Sequence, residues 1–147
     1  MAKRGTKADV KWNGKQVMFL AHKNLRKNAW RAGAFLEGKV IRSISRGQKT
    51  KRVGSRLVGL NPSRPGRPPK VLHGLLRNSI AHRTDVTRQG IDVYVGANTK
   101  YARRLELGDA YGPLRGSSRI EARPYLRPAI ESNRAKALRI LFKGIFE

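Results

Sequence analysis

The chain has no cysteine, which excludes disulfides and any thiolate-ligated metal centre. It is also poor in acid. Nine Asp and Glu stand against 33 Lys and Arg, for a formal net charge of +24. A charge of that size repels itself in a compact monomer, so the composition calls for a polyanionic partner, nucleic acid first and an acidic protein surface second. No apolar run has the length of a membrane span, and the opening MAKRGTKADV lacks the apolar centre of a signal peptide, so neither membrane nor secretion is expected. Apolar residues are 39% and aromatic residues 7% of the 147. That supports one modest core, hence a single domain over residues 1–147 with part of the chain outside it.

The acids are unevenly placed as well as few. None occurs between Glu37 and Asp85, while twelve Lys or Arg do, from Lys39 to Arg83. A solvated loop mixes its charges, whereas a segment that lies near phosphates gains by excluding acid. Within this stretch Pro65, Pro68 and Pro69 fix φ and remove backbone donors, ruling out helix interior and central strand. Residues 47–70 are therefore expected to form an extended basic arm, disordered in the isolated protein. Arg42, Arg46, Lys49, Lys51, Arg52, Arg56, Arg64, Arg67 and Lys70 are its candidate contacts to DNA or to a neighbouring protein. PGRPP is not a phosphate-cradling loop, because its prolines have no N–H to donate.

Hydrophobic spacing places the rest. Val17, Leu20, Ala21, Leu25, Ala29, Ala32, Leu36, Val40 and Ile44 recur at three- and four-residue steps, predicting one helix over about residues 16–46. At about 45 Å it is too long for so small a body to cover, and Gly33 or Gly38 is a natural place for a break. Trp12, Phe19, Trp30 and Phe35 fall partly off its apolar stripe, as a wider core face or as a subunit contact. Ile91, Val93 and Val95 alternate with Asp92 and Tyr94, which predicts an antiparallel hairpin turning near Arg88, Gln89 and Gly90. NTKYARRLELG reads as a short helix with Asn98 or Thr99 as N-cap and Gly108 just past its end. Residues 109–120 read as a mobile loop. Arg123 to Arg127 read as a hinge that turns Tyr125 and Leu126 into the core. Pro128 suits the first turn of a last helix with Ile130, Ala137, Leu138, Leu141 and Ile145 buried. The fold class is α+β: a long N-terminal helix, a basic extended loop, a small antiparallel sheet built on a hairpin, a short helix and a C-terminal helix.

No catalytic or metal-ligating set stands out. His22, His73 and His82 share no ligand spacing. Glu106, Asp109 and Glu121 are the carboxylates a metal-dependent nuclease would need, but Arg103, Arg104, Arg115, Arg119 and Arg123 surround them and favour ion pairs. No cofactor is implied. Composition alone leaves open a ribosomal or other RNA-binding protein with a basic arm, although Tyr94 is the one aromatic of the predicted hairpin that a base can stack on.

Taken in order, SRPGRPPKV, HGLLRNSI, VYVGANTKYARRLELG and ARPYLRPAI resemble the tail-completion, or neck, proteins of tailed bacteriophages. That family shows a Pro-Gly-x-Pro-Pro connector, then Gly-x-Leu-Arg-x-Ser-Ile, then Val-Gly followed by Tyr-Ala and Glu-x-Gly, then Ala-Arg-Pro-aromatic-Leu-Arg-Pro-Ala. The match covers about residues 62–131. It carries over Gly74, Leu76, Arg77 and Ser79, then Tyr101, Glu106 and Gly108, then Arg123, Pro124, Tyr125, Arg127 and Pro128, as structural residues. His73 and Asp109 depart from the pattern, and the stretch from Ala110 to Arg119 is long for it. The resemblance implies a virion structural protein without catalytic activity, assembled in the host cytoplasm and placed at the neck. It would form a homo-oligomeric ring, with a hexamer expected, between a head connector or stopper protein and the tail tube or tail terminator protein. The basic arm would reach a neighbouring ring or make a non-specific contact with DNA in the channel.

Overall fold

The computed structural model describes residues 14–44, 46–47, 49–59, 61–87, 90–109 and 120–144; the side chains of residues 14–21 and 57 are outside the description. The long helix, α1, runs over Gly14–Ser43, 30 residues without interruption. Neither glycine breaks it. At Gly33 the helix crosses the sheet so closely that a Cβ there would stand 2.5 Å from His82 Cδ2 and 3.2 Å from Val93 Cγ1. The propensity cost of about 1 kcal/mol for this glycine is offset by the close approach it permits. Of the predicted stripe, Ala29, Ala32, Val40 and Ile44 are buried. Trp30 is exposed and Phe35 half-buried; Trp12 and the side chain of Phe19 lie outside the described residues.

Two antiparallel hairpins follow. The first, β1 (Thr50–Val53) and β2 (Arg56–Gly59), falls inside the segment expected to be an extended loop. Its register pairs Val53 with Arg56, and Gly54 takes the left-handed φ of 60° that a two-residue hairpin turn needs. All four positions of β1 are exposed, so the hairpin stands off the body. Its base is held by a bridge between Gly47 and Val71 and by Lys49 N–H donating to Asn61 Oδ1 at 2.7 Å. The short α2 (Leu75–Asn78) then leads into the predicted hairpin, β3 (Ile80–Val86) and β4 (Ile91–Ala97). Its register opposes His82 to Val95 and Thr84 to Val93, placing these with Ile91 on the face α1 covers. Of its turn, Arg88 and Gln89 lie outside the described residues. His82 Nδ1 is hydrogen-bonded to Glu37 Oε2, which ties helix to sheet beside Gly33.

Next come α3 (Ala102–Leu107) and α4 (Leu126–Leu141). The N-cap of α3 is Tyr101, with no side-chain cap, rather than Asn98 or Thr99. Asn98 is held by the sheet, its N–H donating to Ser79 O at 3.0 Å, and the chain first makes a tight turn from Thr99 O to Ala102 N. Gly108 ends α3 as expected, at φ 71°. Most of the loop expected over 109–120, residues 110–119, lies outside the described residues. The last helix packs antiparallel on α1. Near one end Ser43 Oγ donates to Tyr125 O at 3.4 Å; at the other, buried Asn28 donates from Nδ2 to Leu141 O at 3.2 Å and Lys143 O at 2.8 Å. Ala129 and Ala137 make its buried face, with Leu138 at 43% exposed. Leu138 was expected inside, but it sits about 100° round from Ala137. Small residues on both helices let the backbones approach without it. Ile145 lies outside the described residues. The core gathers Val40, Ile44, Leu76, Ile80, Ala102, Tyr125 and Ala129, and no described helix is long and apolar enough to cross a membrane.

Gly33→Ala is expected to destabilise the fold by about 1–3 kcal/mol through overpacking on His82. Gly38→Ala, whose Cβ would meet nothing nearer than Arg42 Nη2 at 3.8 Å, should be neutral or stabilise by up to about 1 kcal/mol. Thermal melts of the two variants separate them, and an equal loss in both would refute the close-approach account. Because an isolated two-stranded hairpin is marginal in water, trypsin should cut first between Lys49 and Arg56; equal resistance of the β3–β4 hairpin and this one would contradict that.

Candidate functional site

The candidate contact residues fall into two groups. Lys49, Lys51, Arg52 and Arg56 lie on or beside the exposed β1–β2 hairpin. Arg42, Arg46, Arg64, Arg67 and Lys70 instead line one cleft of about 750 Å³ with Asn61, Pro62, Ser63, Pro68 and Pro69. They arrive from the C-terminal end of α1 and from the proline-rich connector, segments separated by the whole hairpin. Arg42 stands in the last turn of α1, where the helix dipole favours a cation, and its Nε donates to Gly38 O at 3.2 Å. Lys70 Nζ donates to Asn61 O at 2.9 Å, which holds the ammonium at the cleft wall. No carboxylate lines the cleft among the described residues.

What makes the connector rigid enough to form a cleft is a short extended strap, residues 120–125. It runs past the end of α3 and is hydrogen-bonded on both sides. Gly66 N–H donates to Ala122 O at 2.9 Å, fastening the connector; Arg123 N–H donates to Leu105 O at 2.6 Å, and Asp109 N–H to Ile120 O at 2.9 Å. Gly108 is required here twice over: its φ is 71°, and a Cβ would stand 2.9 Å from Ala122 N. Asp109, buried, receives Arg104 through Nε at 2.7 Å and Nη2 at 2.8 Å and accepts Ile120 N–H at 2.7 Å. The hydrogen bonding of Arg104 to Asp109 is the first reason the Arg104 pKa is raised; desolvation opposes it and the charge of Asp109 adds to it.

Glu106 closes the arrangement. Its carboxylate accepts Tyr125 N–H at 2.8 Å, Leu126 N–H at 3.0 Å and Arg127 N–H at 2.9 Å. These are the orphan donors at the start of α4, satisfied by a negative charge at the positive end of the helix dipole. Glu106 is thus a helix cap supplied from another helix. Arg127 also reaches Glu131 at 2.8 Å, with Pro128 exposed beside it. Beneath the strap Tyr125 is fully buried, as the expected hinge requires, with Pro124 and Leu126 half-buried. Burial first, then the charges of Glu106 and Tyr101, push its phenol up to about 12. Leu76 joins the core, Gly74 turns the chain at φ 77°, Ser79 Oγ donates to Leu76 O at 2.8 Å, and Arg77 is exposed.

Three of the four fragments that carry the sequence resemblance are therefore hydrogen-bonded at one strap, and HGLLRNSI joins them through Leu76 and Ile80 in the core cluster that holds Tyr125. The carboxylates considered for a nuclease do not converge: Glu106 caps α4, Asp109 holds Arg104, Glu121 is exposed, and no group of His, Asp or Glu among the described residues gathers as metal ligands. The ion pairing expected of the surrounding arginines is met where Arg104 holds Asp109; sequence reasoning did not find Asn28 or Asn61 as brackets. Comparison with known protein families, curated proteins and solved structures gives no match to this chain.

Glu106→Ala should lower stability by about 1–3 kcal/mol, the scale of losing a helix cap with buried donors left unpaired, measured by chemical denaturation. Tyr125→Ala should cost about 3–5 kcal/mol, while Tyr125→Phe, which removes a buried hydroxyl without a protein partner, should be neutral near pH 7. The folded phenol pKa lies above its ordinary 10.0, so the neutral phenol's contribution is fully present below about pH 10 and lost as pH rises through about 12. Tyr125→Phe should flatten that alkaline loss; an unchanged alkaline profile would contradict the assignment.

Proposed function

We propose that the chain is a structural protein of a tailed-phage particle, joining the head connector or stopper to the tail tube or its terminator as a homo-oligomeric ring. In this reading the cationic cleft faces DNA in the channel and the β1–β2 hairpin reaches an adjacent ring. The observation that carries the DNA side is the cleft itself: cations from distant segments converge, with no carboxylate among the residues that line it. A concave cationic surface repeated round a ring suits a phosphate backbone, with contacts that position without reading sequence. The ring side is supported by large apolar residues left outside a small core, among them Leu75 at 62% and Leu107 at 59% exposed, which mark surfaces meant for neighbours. No catalytic step and no cofactor belong to the reading. The RNA-binding alternative would use Tyr94 on the outer face of β4, but the Arg83 guanidinium already covers that ring at 5.3 Å.

Two experiments test it. Particles assembled without this chain should accumulate as separate heads and tails, and adding the purified protein should join them; unaffected assembly would refute the joining role. For the DNA contact, replacing Arg42, Arg46, Arg64 and Arg67 with Gln should reduce the log-affinity against log-salt slope by about three to four, close to one for each phosphate that is no longer neutralised. The same exchange at Lys49, Lys51, Arg52 and Arg56 should change it much less. An unchanged slope in a folded cleft variant would assign these cations to a protein neighbour.

A further inference from the structure

A second cleft, of about 880 Å³ and sharing no lining residue with the first, opens between α1 and the turn end of the β3–β4 hairpin. On α1 it presents Lys23, Arg26, Lys27 and Arg31 around Trp30, and on the sheet Val86 and Ile91. Trp30 is 60% and Val86 55% exposed. The indole is nonetheless held in place, standing edge-on to His82 with ring centroids 5.4 Å apart, the same His82 that Glu37 fixes. No carboxylate among the described residues lines this cleft. It joins an anchored aromatic and two aliphatic walls to a row of cations, which calls for an occupant both apolar and acidic.

We propose that this cleft binds an acidic amphipathic helix of a neighbouring protein, its apolar side covering Trp30, Val86 and Ile91 and its carboxylates meeting the cations. Lys23 to Arg31 spans about 12 Å of α1, with cations at steps of three, one and four residues. Carboxylates at three- and four-residue spacing on a facing helix match that row, the mode in which a groove takes a helix by its periodic anchors. A second copy of the chain is the wrong occupant. Its one pair of acids three or four residues apart is Glu106 and Asp109, and these are engaged with α4 and Arg104. Nucleic acid would satisfy the cations and stack on Trp30 but leave Val86 and Ile91, which offer no ring, uncovered. The inference asks only for an acidic partner and does not depend on the neck assignment.

The test uses the full chain with Trp12→Phe, leaving Trp30 as the sole indole of the two. The probe is a synthetic helix about 18 residues long with Glu and Leu on one face, set against a scrambled peptide of the same composition. Binding should shift Trp30 emission to the blue. The scrambled peptide and the Lys23→Gln, Lys27→Gln double variant should each bind about tenfold more weakly, while Arg64→Gln with Arg67→Gln should stay within about twofold. Circular dichroism checks that the variants fold. Equal binding of both peptides, or an emission that does not move, overturns the proposal. So does a single-stranded thymidine oligomer that shifts Trp30 emission and displaces the peptide, which would make the cleft a nucleic-acid site.

Discussion

The carboxylate of Glu106 is the constraint on which the other parts depend. It reaches from α3 to the first N–H groups of α4, and this sets where the last helix begins. With that end placed, α4 lies along α1, and Asn28 holds the far end through the carbonyls of Leu141 and Lys143. The strap before α4 is drawn across α3 by the same contact, and the connector is hydrogen-bonded to the strap through Gly66 and Ala122. A chain of +24 with a core largely of Ala, Val and Ile has little hydrophobic energy to spare. Polar brackets of this kind, aligned with helix ends, supply the order that a larger core would otherwise impose.

The charge is managed by position. Few of the 33 basic side chains have an acid to pair with. Most of the described ones are spread over exposed surfaces, where water and salt screen them, but two clefts concentrate them with no acid among the described residues that line them. Concentration of like charge costs the isolated protein stability, so such regions make physical sense when a polyanion or an acidic surface fills them. One cleft is lined by arginines, a lysine, prolines and short polar side chains; the other has an aromatic and aliphatic floor. That difference separates a site suited to phosphates from one suited to a helix.

Much of the framework was legible because its signals are periodic. The apolar steps from Leu25 to Ile44 placed α1, the alternation of Ile91, Val93 and Val95 placed β4, and Gly108 marked the end of α3. Contacts between segments distant in sequence were not legible. Nothing near Glu106 says that it caps a helix starting about 20 residues on; that depends on the strap folding back. Gly33 reads as a helix breaker until the sheet is seen against it. The β1–β2 hairpin was hidden by its charge: Lys51, Arg52 and Arg56 read as arm, although Gly54 and Ser55 between two short runs are a hairpin signal. The cleft follows from that hairpin, which brings Arg64 and Arg67 back beside Arg42 and Arg46. The nine candidate contact residues share only their charge in the sequence, and the fold divides them between cleft and hairpin.

The proposed role is a matter of position: the chain would sit where a head meets a tail. It is tested most directly by imaging purified particles, in negative stain, labelled with an antibody against the exposed β1–β2 hairpin or, should neighbours cover that, against an epitope tag. Label at the neck is the expected result. Label elsewhere on the particle, or a chain absent from complete particles, would contradict it.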